Sequence, residues 1–135
     1  MAQRERIEGE VAKLPRDKAP SSGRAKKSRR AAHKAERNRM MREVGARLYV
    51  TRLALARLEK APKTQKDFAR SVDIPKTSYN QYESGTTMLV PESAVRIYQR
   101  YGVALNWLYA GSIDALPAPL YDAIRAVQAE LAPRG

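Results

Sequence analysis

Residues 65–85 read QKDFARSVDIPKTSYNQYESG, and this stretch decides the fold. Each of its two halves carries apolar residues at helical spacing, and residues 73–75 separate them. Thr64 precedes the first half and can cap a helix with its hydroxyl group. Gly85 closes the second half and can adopt the left-handed conformation that ends a helix. The stretch therefore predicts two short helices joined by a tight break.

The spacing inside this stretch is that of a helix-turn-helix. Counted from Gln65, the pattern needs a small residue four positions on, a turn residue eight on, and apolar residues nine, fourteen and seventeen on. In that order, the chain supplies Ala69, Asp73, Ile74, Tyr79 and Tyr82. We expect the small alanine to let the two helices cross closely, and the two tyrosines to point inward and hold the second helix down.

A further helix is predicted before this stretch. Apolar residues recur at helical spacing from Val44 through Leu48 and Leu55 to Leu58, which indicates that one side of this helix is buried. Ala61 and Pro62 are expected to end it, because proline cannot continue a helix.

Three more helices are predicted after residues 65–85. They cover ESAVRIYQRY at residues 92–101, ALNWLYAG at residues 104–111 and PLYDAIRAVQAEL at residues 119–131. In the first of them, the side chains available for burial are Val95, Ile97, Tyr98 and Tyr101. In the second, Trp107 and Tyr109 are interpreted as core residues rather than as a ligand pocket or a base-stacking platform. No segment shows sustained alternation of period two, so the predicted fold class is all-α.

The last of these helices carries an apolar stripe made of Leu120, Ile124, Val127 and Leu131. Their intervals of four, three and four residues place them on one side of a helix that is too short to be stable alone. The stripe must therefore pack on something. It can belong to the core of its own domain or to a two-fold mate, and we favour the mate.

Composition argues against several classes of function. The 135-residue chain has no Cys, and its single His33 lies in a basic tract, so neither a metal site nor a cofactor is expected. No nucleophile with a matching base is found, so no catalytic residue is expected and the protein is predicted not to be an enzyme. No run approaches 18 apolar residues, and the N-terminus lacks the apolar segment of a signal peptide. We therefore expect a cytoplasmic protein.

The positive charge is concentrated in the first third of the chain. Residues 1–42 hold 14 Lys and Arg against 5 Asp and Glu, a net charge of +9, whereas residues 43–135 hold 12 against 9, a net charge of +3. Such a basic arm indicates a polyanionic partner. Nucleic acid fits better than a membrane surface, because residues 21–39 carry only alanines at apolar positions. The arm cations expected to touch DNA are Arg24, Lys26, Lys27, Arg29 and Arg30.

The arm itself is expected to have two parts. Residues 1–23 hold too little apolar surface to offset the entropy of ordering, so they are predicted to be disordered or loosely helical. Residues 24–42 are rich in helix formers and can continue into the following helix, with Gly45 as the weak point; a flexible solvated tail is the alternative. The predicted organisation is a basic arm at residues 1–42, a helix-turn-helix domain at residues 43–111, and a linker with an amphipathic helix at residues 112–135.

Four segments, TQKDFA, YNQYESG, Pro91 and YGVALNWLYAG, occur in the order and with the gaps of a known family. Over about half of its length, the chain resembles the Cro and phage-repressor (Xre-type) helix-turn-helix proteins. The resemblance implies a lambda-repressor-like five-helix DNA-binding domain. It also implies a sequence-specific regulator of transcription, similar to phage or prophage repressors, that binds double-stranded DNA and acts as a homodimer.

The resemblance also implies roles for particular residues. Gln65 is expected to touch a phosphate, and the second helix of the motif to enter the major groove. The residues implied to meet base edges are Lys76, Thr77, Ser78, Asn80 and Gln81. Their chemistry agrees, because Asn and Gln can bond bidentately to adenine and Lys can donate to guanine. The acid before the closing glycine often pairs with an arginine of the first helix, which implies a pair between Glu83 and Arg57.

The chain departs from the family pattern in three places. Asp73 replaces the usual glycine of the turn, which is tolerable because Asp enters the left-handed region more readily than most residues. Pro75 stands where a Ser or Thr cap is common. The loop at residues 86–90, TTMLV, has no Lys or Arg, which moves the neutralisation of phosphates to the basic arm.

Two other functions fit the same features. An antitoxin of this fold would repress its own promoter and bind a toxin protein through the arm or the C-terminal helix. A nucleoid or RNA-binding protein without sequence preference would depend on the arm alone. Copurification of a second protein would identify the first of these, and effective competition by random DNA would identify the second.

Overall fold

The computed structural model describes residues 23–133. In this part of the chain there is no strand, and the elements are α1 (Gly23–Arg57), α2 (Gln65–Ser71), α3 (Lys76–Ser84), α4 (Pro91–Tyr101), α5 (Leu105–Ala110), a 3-10 turn (Ile113–Ala115) and α6 (Ala118–Leu131). The all-α prediction is confirmed. The disorder expected at the start of the arm concerns mainly residues 1–22, which lie outside the described residues.

The chain divides into two compact units, and the division falls inside α1, between Arg37 and Asn38. In the first unit, the side chains of α1 are exposed, apart from the half-buried Ala25. The second unit holds the hydrophobic core, to which each of the six helices contributes at least one residue. The domain boundaries expected at residues 42 and 111 stay predictions.

Helix α1 continues through Gly45, where a weak point was expected. This glycine is buried, and a Cβ atom placed on it would lie 2.5 Å from the carbonyl oxygen of Glu83 and 2.6 Å from that of Tyr82. Glycine therefore serves here to let the end of α3 approach the backbone of α1. The expectation of a weak point is wrong, because this close contact offsets the low helix propensity of glycine.

The end of α1 also differs from the prediction. The helix ends at Arg57, before the expected stop at Ala61 and Pro62. Glu59 adopts a left-handed conformation with φ of 59°, and the Lys60 amide donates to the carbonyl oxygen of Leu55 at 2.9 Å. The turn in the chain is therefore made by a non-glycine residue, which the sequence pattern did not reveal.

Helix α4 buries a different side from the predicted one. Val95 and Tyr98 are 37% and 52% exposed, whereas Ser93, Ala94 and Ile97 are buried. Small residues at positions 93 and 94 let the helix approach its neighbours closely, so the larger side chains turn outward. The burial predicted for Val95 and Tyr98 is wrong, and that of Ile97 is confirmed.

Helix α6 packs its apolar stripe into the core of its own chain. Leu120, Ile124 and Val127 are at most 4% exposed, and only Leu131, at the end of the helix, is 51% exposed. The preference for a two-fold mate is therefore wrong for this stripe. A hydrogen bond of 2.6 Å from Arg57 Nη2 to Glu130 Oε1 joins the ends of α1 and α6.

Candidate nucleic-acid interface

One side of α3 is held in the core by its two tyrosines. Tyr79 is fully buried and Tyr82 is 6% exposed. The ring of Tyr79 lies 5.3 Å from that of Phe68 on α2, at a tilt of 47°, which is a favourable aromatic arrangement. Both tyrosines thus point inward, as predicted, and they fix the rotation of α3 about its own axis.

The turn between α2 and α3 is tight and well bonded. Asp73 adopts a left-handed conformation with φ of 57°, as its tolerance for that region allows. The guanidinium of Arg96 on α4 donates to its carbonyl oxygen at 3.0 Å. Ala69 is 1% exposed, which confirms the expected close helix crossing. This turn sets the angle between the two helices.

The two helix starts differ in how they are capped. The Thr64 hydroxyl accepts a hydrogen bond from the Asp67 amide at 3.2 Å, so the predicted cap of α2 is confirmed. Pro75 precedes α3 and provides no side-chain cap, as expected. The end of α3 is closed by Gly85, which has φ of 80°. The amides at the start of α3 are therefore not satisfied by a capping side chain.

The other side of α3 faces solvent. Lys76, Thr77, Asn80 and Gln81 are exposed, and Ser78 lies half-buried beside them. Their spacing along the helix, i, i+1, i+4 and i+5, places the four exposed residues on one side, which we call the outer side. Of the five residues predicted to meet bases, four therefore lie on the outer side and one at its margin.

Gln81 on the outer side is oriented by a residue that the sequence analysis did not single out. The Thr87 hydroxyl donates to Gln81 Oε1 at 3.2 Å, which leaves the two amide N–H groups of Gln81 without an intramolecular acceptor in the described part of the chain. The sequence did show two threonines directly after the closing Gly85, and their hydroxyl groups can donate to the last turn of α3. Thr86 also donates to the Gln81 carbonyl oxygen, at 3.4 Å.

A buried ion pair ties α3 to α1. Arg52 Nε lies 2.7 Å from Glu83 Oε2, and Arg52 Nη2 donates to Glu83 Oε1 at 3.0 Å, which makes the pair bidentate. The two side chains are only 8% and 4% exposed. Arg52 also donates to the carbonyl oxygen of Lys63, before α2. The predicted pair of Glu83 with Arg57 is wrong, because Arg57 lies on the exposed side of α1 and contacts Glu130.

Arg52 could have been identified as the partner of Glu83 from its position relative to the buried residues of α1. Arg52 follows the buried Leu48 by four residues and precedes the buried Leu55 by three, so it shares their side of α1. Burial opposes the charge of Arg52, but the hydrogen bond that Arg52 donates to Glu83 and the negative charge of Glu83 outweigh burial and raise the pKa of Arg52.

Gln65 joins the same network. Its Nε2 donates to Glu83 Oε1 at 2.8 Å, and its side chain is half-buried at the start of α2. An amide nitrogen carries two hydrogens, so one remains for a second acceptor. Glu83 thus connects α1, α2 and α3 through charged and amide groups.

The Tyr79 hydroxyl lies beside this network without a hydrogen-bond partner in the described part of the chain. Burial first, and the negative charge of Glu83 second, raise the pKa of Tyr79 well above its ordinary value. The hydroxyl therefore stays protonated at neutral pH and is an unsatisfied buried donor.

The helices α2 and α3, with parts of the core around them, match a known family model. The model is described as a helix-turn-helix domain and matches residues 51–112. The chain contains a helix-turn-helix domain. No curated protein and no solved structure matches the chain.

The helix-turn-helix domain is a DNA-binding fold, and the match runs from the last two turns of α1 to the residue that follows α5 and its closing Gly111. It includes Gln65 and the whole of α3. The predicted arm residues lie before it: Arg24, Lys26, Lys27, Arg29 and Arg30 are exposed on the first unit's part of α1.

Residues 23–133 contain no group of three or more His, Cys, Asp or Glu side chains arranged to hold a metal ion. Within the same residues, no helix combines the length and the apolar character that a membrane crossing requires.

Proposed function

We propose that the protein is a transcriptional regulator that binds a specific sequence in double-stranded DNA and acts as a repressor of phage or prophage type. The observation that carries this proposal is the outer side of α3. Lys76, Thr77, Asn80 and Gln81 are exposed on a helix whose opposite side is locked in the core of a helix-turn-helix domain.

The dimensions of α3 suit the major groove. An α-helix with its side chains is about 10–12 Å across, and the major groove of B-DNA is about 12 Å wide, so α3 can lie in the groove. Asn80 and Gln81 would meet base edges, for which their amides have both donors and acceptors. Thr77 and Ser78 would contact bases or the thymine methyl group, and Lys76 would donate to guanine or to a phosphate.

Gln65 would bind the DNA backbone next to this helix. One of its amide hydrogens is used by Glu83, and the second would donate to a phosphate oxygen. The exposed arm residues Arg24, Lys26, Lys27, Arg29 and Arg30 would neutralise further phosphates. Base contacts would therefore come from α3, and phosphate contacts from Gln65 and the arm.

The proposal includes a homodimer. A single nine-residue helix can meet only a few base pairs, whereas two copies related by a two-fold axis would read two half-sites about one DNA turn apart. The apolar stripe of α6 is not free to form that dimer, since its residues are buried in their own chain. The regulator would act in the cytoplasm, on the nucleoid or on phage DNA in the host.

Selection of bound sequences from random duplex DNA tests this function directly. A regulator of this type enriches one motif, and a dimer enriches a palindrome. The Asn80→Ala variant serves as the matched control and should lose the preference at the base pair that Asn80 contacts while still binding DNA. Failure to enrich any motif would contradict the proposal and favour a protein without sequence preference. Copurification of a second protein whose removal leaves operator binding intact would favour the antitoxin.

A further inference from the structure

The cations of the described arm are not spread evenly around α1. Lys26, Lys27, Arg30, Lys34 and Arg37 fall within an arc of about 100° when the helix is viewed along its axis, at 3.6 residues per turn. We call these five residues the basic face. All of them are exposed, and none makes an ion pair within residues 23–133.

The rest of this helical segment is different in character. Alanine and serine occupy the opposite side, at Ser28, Ala32 and Ala35, and Ala31 lies on the flank, while Arg24 and Arg29 lie outside the basic face. Cations placed four residues apart, as in Lys26, Arg30 and Lys34, repel one another along a helix. A helix that serves only solubility gains nothing from this concentration, so the arrangement points to a polyanion that lies along it.

The spacing of the charges identifies the kind of polyanion. From Lys26 to Arg37 the helix rises by about 16 Å, so its five charges follow one another at a mean interval of about 4 Å along the helix axis. One strand of B-DNA carries a phosphate for about every 3.4 Å of its axis. An anionic membrane is a poorer match, since the opposite side of the helix has no bulky apolar residue to insert.

We infer that this segment acts as a formed helix whose basic face runs along the phosphates of duplex DNA. The inference rests on the proposed DNA-binding function and sharpens it in two respects. Lys34 and Arg37 join the contact, and Arg24 and Arg29 are left out of it. The segment also binds through one side of a helix rather than as an extended chain in the minor groove.

Exchanging neighbouring residues tests the basic face without changing composition or net charge. The variant R30A/A31R moves one arginine out of the basic face to its flank, and adding K34A/A35K moves a second cation out of the basic face to the opposite side. The variant S28R/R29S is the matched control, because it moves one arginine between two positions that both lie outside the basic face. Circular dichroism of the full chain checks that helicity is unchanged in each variant.

The measurement is the affinity for a labelled random-sequence DNA duplex at several salt concentrations. We expect the slope of log affinity against log salt to fall by roughly 0.9 for R30A/A31R and by roughly twice that when K34A/A35K is added, with no change for S28R/R29S. Equal slopes in all variants, or equal losses in R30A/A31R and S28R/R29S, would overturn the basic face. A fall in slope that is seen with duplex RNA but not with duplex DNA would overturn it as well. Absence of DNA binding by the unaltered protein would instead contradict the proposed function.

Discussion

The inner and outer sides of α3 are built from the same nine residues but have opposite relations to the rest of the chain. On the inner side, Tyr79 and Tyr82 are buried and Glu83 is paired with Arg52 at 2.7 Å. On the outer side, Asn80 and the amide nitrogen of Gln81 have no hydrogen-bond partner among the described residues. The inner side thus determines where α3 lies, and the outer side is available for what it binds.

The two sides also differ in what a substitution should change. Burial and pairing on the inner side contribute to the free energy of unfolding, since their groups have left water. The exposed amides of the outer side should contribute only to the proposed DNA binding. A single substitution that changed both the free energy of unfolding and DNA binding would therefore contradict this distinction between the two sides.

The largest effect is expected from Tyr79→Ala on the inner side. Removing a fully buried aromatic ring should lower the free energy of unfolding by about 3–5 kcal/mol, because a cavity remains beside Phe68. Chemical denaturation followed by circular dichroism measures this loss. A variant that unfolded like the unaltered protein would contradict the role of Tyr79 as the anchor of α3.

Tyr79→Phe is the matched control, and it makes a prediction about pH. It keeps the ring and removes an unsatisfied hydroxyl, so it should cost little stability at neutral pH. The raised pKa of Tyr79 means that its stabilising contribution is complete below the ordinary value of about 10. That contribution is lost as the pH rises from there towards the raised pKa of the folded state. Above pH 10, the free energy of unfolding of the unaltered protein should therefore fall increasingly below that of Tyr79→Phe. Chemical denaturation at several pH values measures both, and a constant difference between the two proteins would contradict the prediction.

Glu83→Gln tests the buried ion pair and should have the next largest effect. It leaves the buried guanidinium of Arg52 without its counter-charge, so the free energy of unfolding should fall by about 1.5–3 kcal/mol. Glu130→Gln breaks the exposed pair with Arg57 and serves as the control, with no measurable loss expected. Equal losses in the two variants would show that burial does not distinguish the pairs.

Asn80→Ala tests the outer side of α3. It should weaken binding to the selected DNA motif by about 1–3 kcal/mol, leave random-sequence binding nearly unchanged, and leave the unfolding curve unchanged, because base contacts carry the sequence information. Gln65→Ala should instead weaken binding to both kinds of DNA. Equal losses of Asn80→Ala on both would remove Asn80 from the base-reading set.

Thr87→Val is expected to have the smallest effect. It removes the hydroxyl that orients Gln81 and should weaken motif binding by about 0.5–1.5 kcal/mol, less than Gln81→Ala does. Thr86→Val is a useful comparison, because Thr86 contacts the main chain of Gln81 rather than its side chain. A loss for Thr87→Val as large as that for Gln81→Ala would give Thr87 a direct contact with DNA.

The packing of α3 against α2 and the turn between them could largely be predicted from the sequence. Ala69, Ile74, Tyr79 and Tyr82 stand at fixed distances from Gln65, and all four are buried. Such spacing is informative because a tight turn allows few ways for two short helices to cross. The cap by Thr64 and the left-handed Asp73 were predictable for the same local reason.

Features that depend on distant parts of the chain were harder to predict. Two arginines of α1, Arg52 and Arg57, were chemically equal partners for Glu83, and only the side of the helix on which each lies separates them. In α4, large apolar residues suggested burial, yet the small Ser93 and Ala94 face the core. Hydrophobicity alone does not reveal which side of a helix its neighbours approach.

Under the proposed function, Gly45 would let the domain change its DNA specificity by few substitutions. The end of α3 contacts this glycine through the carbonyl oxygens of Tyr82 and Glu83, which are main-chain atoms. The contact therefore does not depend on which side chains occupy the outer side. Residues 76, 77, 80 and 81 could be exchanged for those of another regulator while α3 kept its position on α1. Evolution, or a designer, could thus retarget the protein to a new operator without repacking the core.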